Sequence, residues 1–180
     1  MKILQPATDN SGMAAPTIHS TNGMTLLDAA LSLAGDGLYV VPTDPADIKN
    51  PGSRPGFTDW PNLSTRDPDL IECYWDDDDS PGIAIHTGKS GLVVFDLDID
   101  VMPDEIAWLR KGLFQSTRRG RGDRGHYLFA STQTFRNGDF CLADGTKIGE
   151  IRSGNTVIIA APTPHPDAAT KGGWYLWTAR

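Results

Sequence analysis

The segment Val93-Val94-Phe95-Asp96-Leu97-Asp98-Ile99-Asp100 decides how the rest of the chain is read. A β-strand sends successive side chains to opposite faces, so Val93, Phe95, Leu97 and Ile99 fall on one face and Asp96, Asp98 and Asp100 on the other. Aspartate is a poor strand former, and three at this spacing within an apolar run need a reason. Residues two apart on a strand lie about 6.6 Å apart, close enough for their carboxylates to bracket one or two hard cations such as Mg²⁺ or Mn²⁺. Without a cation, two carboxylates about 4 Å apart repel by roughly 4 kcal/mol at an effective dielectric of 20. The alternative is a strand end emerging into solvent, and Asp100 fits that alternative best.

A phosphate-bearing substrate needs positive charge, and here it is scarce. The 180 residues hold 16 Lys and Arg against 23 Asp and Glu, a formal charge of -7, which excludes a broad electrostatic coating of nucleic acid. The concentrated exception is the segment STRRGRGDRGH from Ser116 to His126, with Arg118, Arg119, Arg121 and Arg124 around one aspartate. Its glycines allow close backbone approach and its guanidinium groups match phosphate oxygens, so it reads as an anion cradle, with Arg118 and Arg124 as candidate nucleotide contacts. His126 opens the apolar strand that follows and is held beside the cradle. An Arg121-Gly122-Asp123 adhesion signal is set aside. In Lys147-Ile148-Gly149-Glu150-Ile151-Arg152, alternation groups Ile148, Glu150 and Arg152 on one face. Glu150 is the candidate third carboxylate; taken alone it is an ordinary exposed glutamate beside Arg152.

Around these motifs the pattern mixes helix and strand. Residues 1–22 are rich in Pro, Gly, Ser, Thr and Asn and predict a loosely held tail, leaving 23–180 as one catalytic domain. Thr25 opens an amphipathic helix carrying Leu26, Leu27, Ala30 and Leu31, stopped by Gly35 and Gly37, and Leu38 to Val41 follow as a strand. Residues 42–62 read as a long loop that brings Lys49 and Arg54 toward the site, and Thr65 caps a helix through Trp75. Asp76 to Asp79 read as a solvated turn. Ile83 to Ile85 and Leu92 to Phe95 are strands flanking Gly88-Lys89-Ser90-Gly91, which is not a phosphate loop because position 83 is Ile and the flanking elements are strands. A helix is expected from Met102 to Leu113, strands at His126–Ala130, Lys147–Arg152 and Val157–Ala161, and an edge strand at 174–177. The class is α+β with a central sheet. Cys73 and Cys141 lack metal-site or disulfide spacing, and no apolar run reaches the roughly 18 residues of a membrane span, so a cytoplasmic protein is expected.

The order FDLD, RGHYLF, GEIRSGNTVIIAAPTPHP, with SRPGFTDW, GIAIHTG and a closing GGWYLW, resembles the bifunctional primase-polymerase (Prim-Pol) domain of the archaeo-eukaryotic primase superfamily, from about Leu26 to Trp177. The resemblance implies an α/β unit packed on an RRM-like mixed sheet with the active site in the cleft between them. It implies an acidic pair at Asp96 and Asp98, a histidine at His126 and a third carboxylate at Glu150, together holding two Mg²⁺ or Mn²⁺ ions, with His126, Arg118, Arg124 and Arg152 on the nucleotide. The implied partners are a DNA template and primer and nucleoside triphosphates, in a phage or plasmid replication protein that commonly carries a helicase domain. Two departures stand out: the third carboxylate is glutamate, and the segment before the histidine is long and arginine-rich. Competing expectations are a haloacid-dehalogenase-like phosphatase, which FDLD also resembles, and a non-catalytic DNA-binding module.

Overall fold

The structure, a computed structural model, describes residues 12–76, 82–117, 122–133, 135–171 and 173–178. In chain order the elements are β1 (Met13–Ala14), α1 (Leu26–Gly35), β2 (Val40–Thr43), α2 (Trp60–Leu63), α3 (Pro68–Trp75), β3 (Gly82–His86) and β4 (Leu92–Leu97). After a 3₁₀ segment at Asp104–Lys111 come β5 (Leu113–Ser116), β6 (Gly125–Ser131), β7 (Gly138–Cys141), β8 (Lys147–Arg152), β9 (Val157–Ala160), α4 (Ala168–Lys171) and β10 (Leu176–Thr178). They form two sheets: β2-β3-β9, and a seven-stranded sheet ordered β10-β5-β6-β4-β8-β7 with β1 added to β6.

The class is α+β, as the sequence predicts. Every pairing between these strands is antiparallel, where a mixed sheet was expected. β5–β6 and β7–β8 are hairpins, while β2 reaches its partner β3 only after α2 and α3.

The alternation read on β4 separates two cores. Val94 joins Leu128, Ile83, Ile85 and Ile158 between the two sheets, where α1 contributes Ala30 and Leu33 and α3 contributes Ile71 and Trp75. Helix α1 starts at Thr25, whose hydroxyl accepts the Asp28 amide at 3.1 Å, and α3 starts at Asp67, which accepts from Asp69 at 3.0 Å. On the other face Val93, Phe95 and Leu97 pack with Tyr127, Phe129, Phe140 and the 3₁₀ residues Ile106 and Leu109. The helix expected over Met102–Leu113 is therefore shorter and 3₁₀. Its buried residues Ile106 and Leu109 are three apart, the repeat of that helix, and the turn closes at Gly112, where a Cβ would stand 2.7 Å from the Phe129 ring.

Two further expectations change. The segment up to Asn22 is not loose in its described part: Thr21 is fully buried, donates to the Ala161 carbonyl at 2.6 Å and accepts from the Trp177 indole at 3.0 Å, while Asn22 bonds the Trp177 backbone in both directions. In β8, Ile148 does not share a face with Glu150 and Arg152. Gly149 pairs with Phe140 but Lys147 pairs with Cys141, so β8 carries one extra residue, a β-bulge. The bulge puts Ile148 into the aromatic core together with Ile151, and leaves Glu150 and Arg152 on the opposite face.

Gly149 is the residue that lets β8 lie this close to β4, because a Cβ there would collide with the Asp96 carbonyl oxygen. Gly149→Ala is expected to destabilise the fold by more than about 2 kcal/mol, read as a lower urea midpoint with an unchanged m-value. A midpoint within error of wild type would show that the bulge tolerates a side chain.

Candidate active site

Three adjacent strands place the predicted site residues in one row. Asp96 on β4 pairs directly with His126 on β6 and with Glu150 on β8. Side chains paired this way share a face, here the one toward β9. Asp98 lies just past the end of β4 but stays on the ladder, its amide donating to the Ile148 carbonyl at 2.8 Å.

The carboxylates are met by basic side chains. His126 Nε2 stands 3.6 Å from Asp96 Oδ1, and Arg152 Nε stands 3.5 Å from Asp96 Oδ2. Arg152 also donates to Glu150 Oε2 at 2.7 Å, and Lys147 Nζ lies 2.6 Å from Asp139 and 3.6 Å from Glu150. Arg124 bridges Asp98 and Asp100 at 3.0 Å each, so Asp100 is ion-paired rather than simply solvated. The Asp96 side chain is 21 % exposed and Asp98 61 %, whereas His126 is only 5 % exposed.

Asp96, Asp98, His126, Arg124 and Arg152 open on one cavity, whose far wall is Val157, Ile158 and Ile159 of β9. Lys49 reaches this cavity from the loop after β2, as the sequence suggested; Arg54 does not line it and lies over the Phe57 ring. Glu150 does not line it either. Arg118 falls outside the described residues, as do Arg119, Arg121 and Asp77 to Asp79.

The family model described as "Bifunctional DNA primase/polymerase, N-terminal" matches residues 30–180. The chain belongs to the Prim-Pol family. No curated protein and no solved structure matches it significantly. Family membership makes this a nucleotidyltransferase-type enzyme at the level of primase/polymerase, with DNA and nucleotides as its substrates. Among the described residues, no helix is long and apolar enough to cross a membrane.

The Prim-Pol cavity contains residues that sequence reading missed. Tyr175 lies nearly parallel to His126, with centroids 5.9 Å apart and planes at 25°, and packs against His165 at 5.5 Å. Both Tyr175 and His165 are buried and line the cavity. The available signal was a histidine between two prolines, Pro164-His165-Pro166, just after a fully apolar strand. Gln115, also missed, is fully buried behind His126.

The donor chemistry suits a hard divalent cation in part. Asp96 and Asp98 offer carboxylate oxygens to the same cavity, the ligand type that Mg²⁺ and Mn²⁺ prefer. Glu150 is engaged by Arg152 and Lys147, and among the described residues no three acidic, His or Cys side chains converge as a ligand group.

Burial pushes the Asp96 carboxyl upward, but the neighbouring His126, followed by Arg152, outweighs it and holds the group at about 2. The folded value lies below the ordinary 3.8, so this stabilisation is complete above about pH 4 and is lost as pH falls through 2. Its size is on the order of 2 kcal/mol. Asp96→Asn should therefore lose less stability than wild type between about pH 4 and pH 2, measured by urea unfolding across that range. Parallel profiles would remove Asp96 as a source of acid sensitivity.

Proposed function

We propose that this Prim-Pol domain is a template-directed primase/DNA polymerase in which Asp96 and Asp98 hold Mg²⁺ or Mn²⁺ and Glu150 supplies the third carboxylate. The observation that carries the reading is that carboxylates and basic side chains share one cavity in a chain of net charge -7: Asp96 and Asp98 beside Arg124, Arg152, Lys49 and His126. A simple cation site has no use for the basic groups, and a simple anion site none for the acidic ones. A metal-bound nucleoside triphosphate needs both.

The bound metals would supply a lowered pKa for the primer 3′-hydroxyl and charge stabilisation on the attacking and leaving oxygens at the α-phosphate. The chain's own groups do the rest. His126 and Arg152 stand beside Asp96 and donate to phosphate oxygens, while Lys49 and Arg124 neutralise the triphosphate tail from the cavity rim. Arg118 is assigned to the same tail. Arg152 connects the two acidic positions, touching both Asp96 and Glu150, so its transfer to a phosphate frees Glu150 for the metal. The β9 wall excludes water from one side of the site. The family match supports a role in DNA replication; a phage or plasmid replication protein that also carries a helicase domain, in the cytoplasm of a bacterial host, is the setting proposed with it.

A labelled primer-template with dNTPs or NTPs and Mg²⁺ or Mn²⁺, run with and without primer, tests the reading. Asp96→Ala and Asp98→Ala should each lower incorporation at least about a hundredfold while the circular dichroism spectrum is retained. His126→Ala should raise the KM for nucleotide about tenfold, the loss expected for one hydrogen bond to a charged group. Wild-type incorporation by either aspartate variant sinks the metal assignment, and an unchanged KM removes His126 from the triphosphate.

A further inference from the structure

Gln115 takes no part in the reading above, yet it is fully buried and joins the two sheets at the site. Its side chain leaves β5 and reaches the backbone of β9 and the residue after it. The Ala161 amide donates to Gln115 Oε1 at 2.8 Å, and Gln115 Nε2 donates to the Ile159 carbonyl at 2.8 Å. A backbone N–H can only donate and a carbonyl can only accept, so these two partners fix which end of the amide is oxygen and which is nitrogen. The second hydrogen on Nε2 is left for His126 Nδ1, at 2.9 Å. An amide nitrogen does not accept, so Nδ1 must present its lone pair and the ring proton must sit on Nε2. Nε2 is the atom that faces Asp96. Tyr175, stacked on the ring at 25°, holds its plane.

We infer that Gln115 is a positioning residue that locks His126 in the neutral Nε2–H tautomer, so that this histidine serves the cavity as a hydrogen-bond donor and neither as a general base nor as a metal ligand. A base or a ligand would need a lone pair on the atom that faces the site, and here that atom carries the proton. The donor is already aimed at oxygen: the Asp96 carboxylate now, a phosphate oxygen when nucleotide is bound. The second half of that statement rests on the polymerase reading; the tautomer does not.

The test is made on the ¹⁵N-labelled full chain at neutral pH, with the His126 ring signals assigned by their disappearance in His126→Gln. The expected pattern is a pyridine-like Nδ1, a pyrrole-like Nε2, and a through-hydrogen-bond correlation between Gln115 Nε2 and His126 Nδ1. A reversed or doubly protonated ring, or the lack of that correlation, overturns the inference in the wild-type protein itself, whatever the Gln115 variants do. Gln115→Met keeps the length of the side chain and removes the amide. It should mix the two tautomers and raise the KM for nucleotide about tenfold, with kcat within about threefold of wild type. Gln115→Glu should put a proton on Nδ1, since a carboxylate accepts from Nδ1–H. A wild-type ring pattern in either folded variant means that Gln115 does not set the proton's position. If the protein proves not to be a polymerase, the ring pattern is still expected.

Discussion

Asp96 stands on an interior strand of a seven-stranded sheet, and a carboxylate there must be compensated or it would not remain charged. Taking a lone carboxylate out of water costs several kcal/mol, and hydrogen-bonded or charged neighbours are what offset it. The neighbours arrive through the ladder. Strand β6 brings His126 from one side, and β8 brings Arg152 from the other. Sheet register and site electrostatics are thus one problem, and a slip of either strand would leave Asp96 buried among apolar side chains.

The reverse of the same strand explains why the position is held firmly. Phe95, the residue before Asp96, packs edge-on against Trp108 at 5.1 Å and Phe129 at 6.0 Å, and tilted against Phe140 at 5.2 Å. Aromatic rings in such contact have few alternative packings, so the backbone that carries Asp96 is fixed from behind. A site whose acidic and basic groups sit on strands braced in this way is pre-organised before any substrate enters.

What could be read from the sequence was whatever depended on local period. The alternation through Val93 to Leu97 separated two faces, and both faces are where it put them. The apolar run Tyr127-Leu128-Phe129 placed His126 at a strand start. What escaped was set by partners distant in sequence. Strands β5 and β7 are four residues each, and the polar Gln115 and Asp139 within them carry no strand signal of their own; pairing with β6 and β8 makes them strands. His165 and Tyr175 become site residues only when the chain after β9 folds back over His126. Ile148 was misplaced because period two assumes an unbroken strand, and the extra residue of the bulge is defined only against β7.

That extra residue makes β8 a matter of counting as much as of chemistry. The bulge at 147–149 sets how the start of the strand is phased against β7. Removing Ile148 would restore one-to-one pairing with β7 and take a side chain out of the aromatic core, with no catalytic letter altered. Exchanging one side chain for another at position 147 leaves the phase intact. Descendants of this sequence can therefore vary position 147 far more freely than the length of the segment. Gains and losses of residues belong in the turn at 142–146, before the count begins.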